Sequence, residues 1–266
     1  METISSTQNP KIKEVLTIQE KSSYRKKKGV FIIEGQKEIK QAISSSIEII
    51  TLFCKDIDIL ENITNSAEEF IYNSIHKNTF LVTDNVYSRM AYRDSTEGAI
   101  AIAKNPNKSL SDLSLSENPL IIILESVEKP GNLGAVVRTA DAVGADAVIV
   151  CEPTTDIYNP NVIRSSVGGI FSKQVIASSS EETYKWLVKN NIKILTAQLQ
   201  NSELYYDTNM KDPIAIVMGT ESTGLSNYWR EKANRCIRIP MLGDMDSLNV
   251  SVSAAILCYE AIRQRQ

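Results

Sequence analysis

The sequence predicts an α/β protein in two parts, the second built on a mainly parallel sheet with helices on both faces. Three observations carry that expectation. Short β-branched runs alternate with segments of helical periodicity along most of the chain. A stretch rich in turn formers, from Asn105-Pro106-Asn107-Lys108-Ser109 to Glu117-Asn118-Pro119, divides the alternation in two. The strands after it are short, apolar and separated by helices, as parallel strands covered on both faces are. At 266 residues, with 42 % hydrophobic and 23 % charged side chains and only 11 glycines and 8 prolines, the chain buries a full core without staples and is neither disordered nor fibrous.

In the first part, Asn9-Pro10 opens a helix running to Glu20, with Ile12, Val15, Leu16 and Ile18 at its apolar positions. Val30 to Ile33 is a short buried strand, Gly35 to Ile43 a helix and Ile47 to Cys54 a strand. Glu68 to Ile75, Phe80 to Val82, Val86 to Met90 and Ala99 to Ala103 continue the alternation. The basic run between Lys11 and Lys28, with Lys21, Arg25, Lys26 and Lys27 inside it, reads either as a solvated loop or as a phosphate contact.

After the divide come strand Leu120 to Leu124, helix Leu133 to Val143, strand Ala147 to Val150, strand Val175-Ile176, helix Glu181 to Asn190 and strand Ile192 to Ala197. Strand Ile214 to Met218, helix Asn227 to Arg235, strand Cys236 to Ile239 and helix Leu248 to Ile262 complete it. The predicted organisation is thus a domain over 1–105, a linker over 106–118 and a domain over 119–266. Binding sites in such sheets form at the carboxyl ends of the strands.

Composition excludes several functions. Four scattered cysteines, no C-x-x-C pair and a single histidine, His76, in a polar stretch leave no zinc site or disulfide framework, so no metal is expected. No apolar run reaches about 18 residues and the polar start lacks a signal-peptide layout, so no membrane is expected and the cytoplasm is the predicted address. A net charge of −3 argues against a chain coated in basic surface, without arguing against a basic patch.

Three turns could carry chemistry. In the first, Glu125 to Arg138, a strand enters a Pro-Gly turn, Asn132 reads as an N-cap, and Leu133, Val136, Val137 and Ala140 line one helical face that excludes Arg138. With Glu152 ending the next strand, a dinucleotide site is the competing reading, although Gly131 and Gly134 do not make G-x-G-x-x-G. In the second, Ile214 to Ser226, Gly219 allows a close backbone approach, Gly224 permits positive φ and Ser226 caps the next helix, with Glu221 between. An ordinary αβ turn fits the same residues. In the third, Ile239 to Ser253, the hydroxyls and amide of Ser247, Asn249, Ser251 and Ser253 suit either N-capping or a polar ligand. The stripe Leu248, Val252, Ala255, Tyr259 and Ile262 of the following helix suits a core or a subunit interface.

Taken together, N-x-G-x-x-x-R (Asn132 to Arg138), M-G-T-E-S-T-G-L (Met218 to Leu225) and I-P-M-x-G-x-x-x-S-L-N-V-S (Ile239 to Ser251) resemble the SpoU family of RNA ribose methyltransferases in the SPOUT superfamily. Asn159-Pro160, Arg164, Ser165 and Gly168-Gly169 look like that family's intervening segment. Asn9 to Gly35 is similar to the small RNA-binding substrate domain that many members carry.

The resemblance implies a trefoil-knotted catalytic domain, a homodimer, S-adenosylmethionine as cofactor and RNA, above all ribosomal RNA, as substrate. It implies that Gly219, Thr220, Ile239, Met241, Ser247 and Leu248 hold the cofactor, and that Arg138, Asn132, Glu221 and Asn249 face the ribose, with the Arg138 guanidinium buried beside the methyl donor. It turns the basic segment Lys21, Arg25, Lys26, Lys27 and Lys28, with Arg164, into RNA contacts. A catalytically silent RNA-binding relative and a nucleotide-dependent oxidoreductase are the alternatives.

Overall fold

The computed structural model describes residues 1–92, 97–220, 223–244 and 246–266, and the chain divides into two compact units.

The first unit comprises β1 (Glu2–Ile4), α1 (Pro10–Glu20), α2 (Ser22–Lys28), β2 (Val30–Glu34), α3 (Gln36–Ser44), β3 (Ile49–Cys54), α4 (Ile57–Thr64), α5 (Glu69–Lys77), β4 (Thr79–Val82), α6 (Asp84–Met90) and β5 (Ala99–Lys104). Its five strands lie in the order β1-β4-β3-β5-β2, parallel through β1, β4 and β3 and antiparallel where β5 pairs with β3 and β2. Asn9 caps α1 by accepting from Lys11 N at 2.9 Å, Pro10 supplies the preset first φ, and Ile12, Val15 and Ile18 form the buried stripe.

The basic segment is a helix, α2, where the sequence offered a loop or a phosphate contact. Lysine and arginine are good helix formers but leave no apolar period to detect. Their positive charges crowd the last turn, where the helix dipole favours them, and Gly29 ends the helix at φ 65°. Arg25 is turned inward, 4 % exposed, with Nη1 donating to Ile18 O at 2.7 Å and Gln19 O at 2.9 Å. That corrects its assignment to RNA: the guanidinium satisfies carbonyls at the end of α1 that the helix itself leaves open.

The second unit begins with β6 (Leu120–Glu125), α7 (Pro130–Ala142) and β7 (Ala147–Cys151). Two short helices, α8 (Pro160–Ser165) and α9 (Gly169–Ser172), interrupt it in the chain before β8 (Gln174–Ser178). It continues through α10 (Ser180–Lys189), β9 (Lys193–Ala197), β10 (Glu203–Leu204), β11 (Ile214–Met218), α11 (Asn227–Lys232), β12 (Arg235–Arg238) and α12 (Val250–Arg265). The seven strands are all parallel, in the order β10-β12-β9-β11-β6-β7-β8. Ile121, Ile123, Ile149, Ala215 and Val217 face one side, buried with Leu187 of α10 and Trp229 of α11. The alternate residues Ile122, Leu124, Val148, Val150 and Ile216 are equally buried, as a period of two on a doubly covered sheet requires, and α7 and α12 pack on β7 and β11.

Two boundaries move from the expected 105/106 and 118/119. Lys108 onward counts with the second unit, because Leu110, Leu113 and Leu115 of the turn-rich stretch pack on its core and Ser109 and Asp112 close a capping box. Tyr158–Ser172 counts with the first unit, where Phe31 stacks on Tyr158 at 4.4 Å and on Phe171 at 5.9 Å. Arg164 therefore stands in the first unit, its guanidinium 5.9 Å from the Tyr92 ring.

All four cysteines are free, and burial pushes Cys54, Cys151 and Cys258 up to about 12, which removes them as nucleophiles. His76 lies at the surface against Glu61, 3.2 Å away, and tilts on Tyr72. Among the described residues no helix is long and apolar enough to cross a membrane, and no group of three His, Cys, Asp or Glu is placed to hold a metal ion.

Candidate active site

The carboxyl ends of β9, β11 and β12, three neighbours in the second sheet, open into a cleft of about 310 Å³. The chain that follows each of the three walls it: Ala197 to Gln200 from the end of β9, Met218 to Thr220 and Thr223 to Leu225 with Arg230 after β11, and described residues between Ile237 and Ser253 from the end of β12 into α12. Gly219, Thr220, Ile239, Met241, Ser247 and Leu248 all line this cleft, though they come from two separate turns of the sequence. Of the residues that the resemblance assigns to the ribose, Glu221 lies outside the described residues, as do Ser222 and Met245.

The second turn is shaped by its own backbone. A Cβ on Gly219 would stand 2.2 Å from both C and O of Gly224, and Gly224 bonds back through its N to Thr220 O at 3.0 Å. Gly224 holds φ 67°, which glycine adopts without strain. The close approach that Gly219 permits is thus made by the turn itself. Ser226, read as a helix cap, uses its hydroxyl differently. Its Oγ donates to Glu125 Oε1 at 2.6 Å and its N donates to Glu125 Oε2 at 2.8 Å. Glu125 is 6 % exposed, so these charge-assisted bonds clamp the start of α11 to the end of β6.

In the third turn the Asn249 side chain caps α12: Oδ1 accepts from Ser251 N at 3.0 Å and from Ser251 Oγ at 2.6 Å. Its Nδ2 is left to donate to Asn132 Oδ1 at 3.1 Å. Asn132 is not the cap of α7, which starts earlier at Pro130 with Lys129 in the cap position. Proline's fixed φ suits a first helical position, and this moves Asn132 inside the first turn.

Arg138 is not buried within its own chain. It is exposed, does not line the cleft of its own chain, and its side chain makes no hydrogen bond or ion pair among the described residues. Leu133, Val136, Val137 and Ala140 take α7's buried stripe, and Arg138 sits on the side away from it. The α12 stripe also faces outward: Leu248 is 37 %, Val252 48 % and Tyr259 54 % exposed. Glu152, the candidate ribose ligand of a dinucleotide site, instead accepts from Ser180 N at the start of α10, at 2.8 Å.

Sequence reading missed the wall from Ala197 to Gln200, together with Arg230, Arg238 and Asp246. Only the strand order, which puts β9 between β11 and β12, brings the first of these to the cleft. Arg230 follows the second turn on α11, where its spacing resembles that of any surface arginine.

A parallel sheet with a cleft of turns at the carboxyl ends of adjacent strands defines a ligand-binding α/β domain. The SpoU rRNA Methylase family matches residues 119–259, and an MRM3-like substrate binding domain matches residues 9–101. The chain belongs to the SpoU rRNA Methylase family. A 23S rRNA (guanosine(2553)-2′-O)-methyltransferase of Bacillus subtilis is 27 % identical over 97 % of this chain and 98 % of its own length. The crystal structure of an RNA 2′-O ribose methyltransferase is 37 % identical, with a TM-score of 0.79 over 99 % of both chains. An AdoMet-bound rRNA methyltransferase from Sinorhizobium meliloti is 25 % identical, with a TM-score of 0.89 over 100 % of this chain and 98 % of its own.

Proposed function

We propose that this chain transfers the methyl group of S-adenosylmethionine to a ribose 2′-hydroxyl of ribosomal RNA. One observation carries the reading: the six residues that the motif resemblance assigns to the cofactor come from two turns and line a single cleft. The cleft fits the cofactor. Gly219 and Gly224 carry no side chain, so main-chain groups form that part of the wall, and two lining residues, Gln198 and Arg230, each hold a buried polar atom, Oε1 and Nε, without a partner among the described residues. Gly219, Ile239 and Leu248 would hold the ligand through backbone groups, with Thr220, Met241 and Ser247 beside them. When bound, S-adenosylmethionine supplies an electrophilic methyl carbon on a sulfonium.

The chain's own task is to manage the charge that develops on the ribose oxygen. No histidine stands at the cleft, and an arginine cannot act as a base at neutral pH. Arg138 stabilises the developing alkoxide or clamps the adjacent phosphate. Asn132 and Asn249 orient the ribose as a hydrogen-bonded pair, and Glu221 orients Arg138 or accepts the proton. The family's trefoil knot belongs to this reading, and the convergence of three chain segments on one cleft supports it.

The enzyme acts as a homodimer in the cytoplasm. The exposed apolar side chains of Val252 and Tyr259 on α12 support pairing, since they form a face for which another chain is the natural cover. The first unit docks RNA, with the exposed Lys21, Lys26, Lys27 and Lys28 and with Arg164 touching phosphates.

Labelled S-adenosylmethionine incubated with the purified protein and total RNA from a strain lacking its gene tests the reading. Label is expected on one ribose of ribosomal RNA. Label on a base, on transfer RNA alone or nowhere overturns it. Light scattering that shows a monomer at micromolar concentration would remove the dimer.

A further inference from the structure

The cleft contains two arginines in different circumstances. Arg238, at the end of β12, is committed: its Nη1 donates to the carbonyl of Ser202. Arg230, on α11, is half-buried, its Nε is shielded from solvent, and its guanidinium makes no hydrogen bond or ion pair among the described residues. Its Nη2 lies 3.5 Å from where a Cβ on Gly224 would stand, which sets the guanidinium against the turn that follows β11. A shielded cationic donor without a partner costs free energy, and a ligand that supplies the missing acceptor recovers it. The one carboxylate among the described lining residues, Asp246, is exposed and is not paired with it.

We propose that Arg230 binds the α-carboxylate at the amino-acid end of S-adenosylmethionine and so sets the cofactor's position in the cleft. This role rests on the methyl-donor reading above and deepens it. Adenine and ribose are neutral, the sulfonium and the α-ammonium are positive, and the carboxylate is the one anionic group of that molecule. A guanidinium lining its cleft has one oppositely charged partner on that ligand, and the planar fork matches a carboxylate through two parallel hydrogen bonds. Gln198 lines the same cleft with its Nε2 donating to Gln200 O at 2.9 Å and its buried Oε1 without a partner among the described residues. Arg230 is therefore a binding residue for the cofactor rather than a residue of the transfer itself.

The test is a comparison of two ligands by calorimetry on the full chain. S-adenosylhomocysteine carries the amino-acid end, and 5′-methylthioadenosine shares its nucleoside and sulfur but lacks that end. Arg230→Ala is expected to weaken S-adenosylhomocysteine on the order of 10- to 100-fold, the range for losing a charged hydrogen bond, while methylthioadenosine binds unchanged. Arg230→Lys is expected to recover part of the loss, because it keeps the charge without the fork. Equal weakening of both ligands would mean that Arg230 only supports the turn, and unchanged binding of both would mean that it faces neither; each result overturns the proposal. Weakened RNA binding with S-adenosylhomocysteine unaffected also overturns it, by assigning the guanidinium to a phosphate. A wild-type chain that binds neither ligand instead overturns the methyl-donor reading.

Discussion

Asn249 donates its side-chain amide to the side-chain oxygen of Asn132 at 3.1 Å, joining the N-terminus of the last helix to the first turn of α7, 117 positions earlier. The same Asn249 caps α12 through its other side-chain atom. Capping and pairing are therefore two separable jobs of one amide, and of the two readings that the sequence left open for the third turn, N-capping is the one seen in this side chain.

That separation can be measured. Asn249→Ala removes both jobs and is expected to cost about 1 kcal/mol of stability, the usual cost of a lost cap, along with most of the methyl transfer. Asn249→Asp keeps an acceptor for Ser251 N and cannot donate to Asn132, so it should melt near wild type while losing activity. Thermal denaturation alongside the methylation assay checks this, and an Asp variant with the wild-type rate would dismiss the pair as inert.

Gly219→Ala places a Cβ 2.2 Å from the carbonyl carbon and oxygen of Gly224. The turn must open, at a cost of about 1 to 3 kcal/mol typical of overpacking. Because the same turn lines the cleft, S-adenosylhomocysteine affinity should fall more than tenfold while far-ultraviolet circular dichroism is kept. Unchanged affinity would remove Gly219 from the proposed cofactor site.

Arg138 stands outside the cleft of its own chain, so Arg138→Ala should leave cofactor affinity within a few fold. Methyl transfer should drop by a factor on the order of 100 to 1,000, as for the loss of one donor to a developing oxyanion. Single-turnover rates at saturating cofactor test it, and a near wild-type rate would end the proposed role.

On α2 the structure divides one basic run into two kinds of residue. Replacing the exposed Lys26, Lys27 and Lys28 by alanine should flatten the salt dependence of RNA binding, by about 0.7 in log–log slope for each single-strand phosphate that is no longer neutralised. Arg25→Ala should leave the slope alone and lower stability by about 1 to 3 kcal/mol, since Ile18 O and Gln19 O lose their donor in a buried place. If the lysine variant keeps the wild-type slope, the exposed face of α2 does not meet phosphate.

Much of this molecule was legible along the chain. Apolar runs marked the central strands β6, β7 and β11 most clearly, because a strand buried on both faces must be apolar at successive positions. Asn9-Pro10 marked α1 because its cap acts within the next two residues. Three spaced motifs marked the two turns that supply the six residues of the cleft and the helix that carries Asn132. α2 escaped because a helix made of charged residues has no hydrophobic period, and β1 escaped because three residues are too few to show alternation.

What the sequence by itself determined was therefore local: which segments would be strands or helices, where the turns lay, and which motifs they held. Tertiary structure alone decided the order of the seven strands, and with it the placing of Ala197 to Gln200 beside the two motif turns. It also decided that Arg25 turns inward and that Arg230 meets the cleft. Those outcomes depend on which faces the packed layers leave open, a property of the packing between distant segments that no local pattern of side chains encodes.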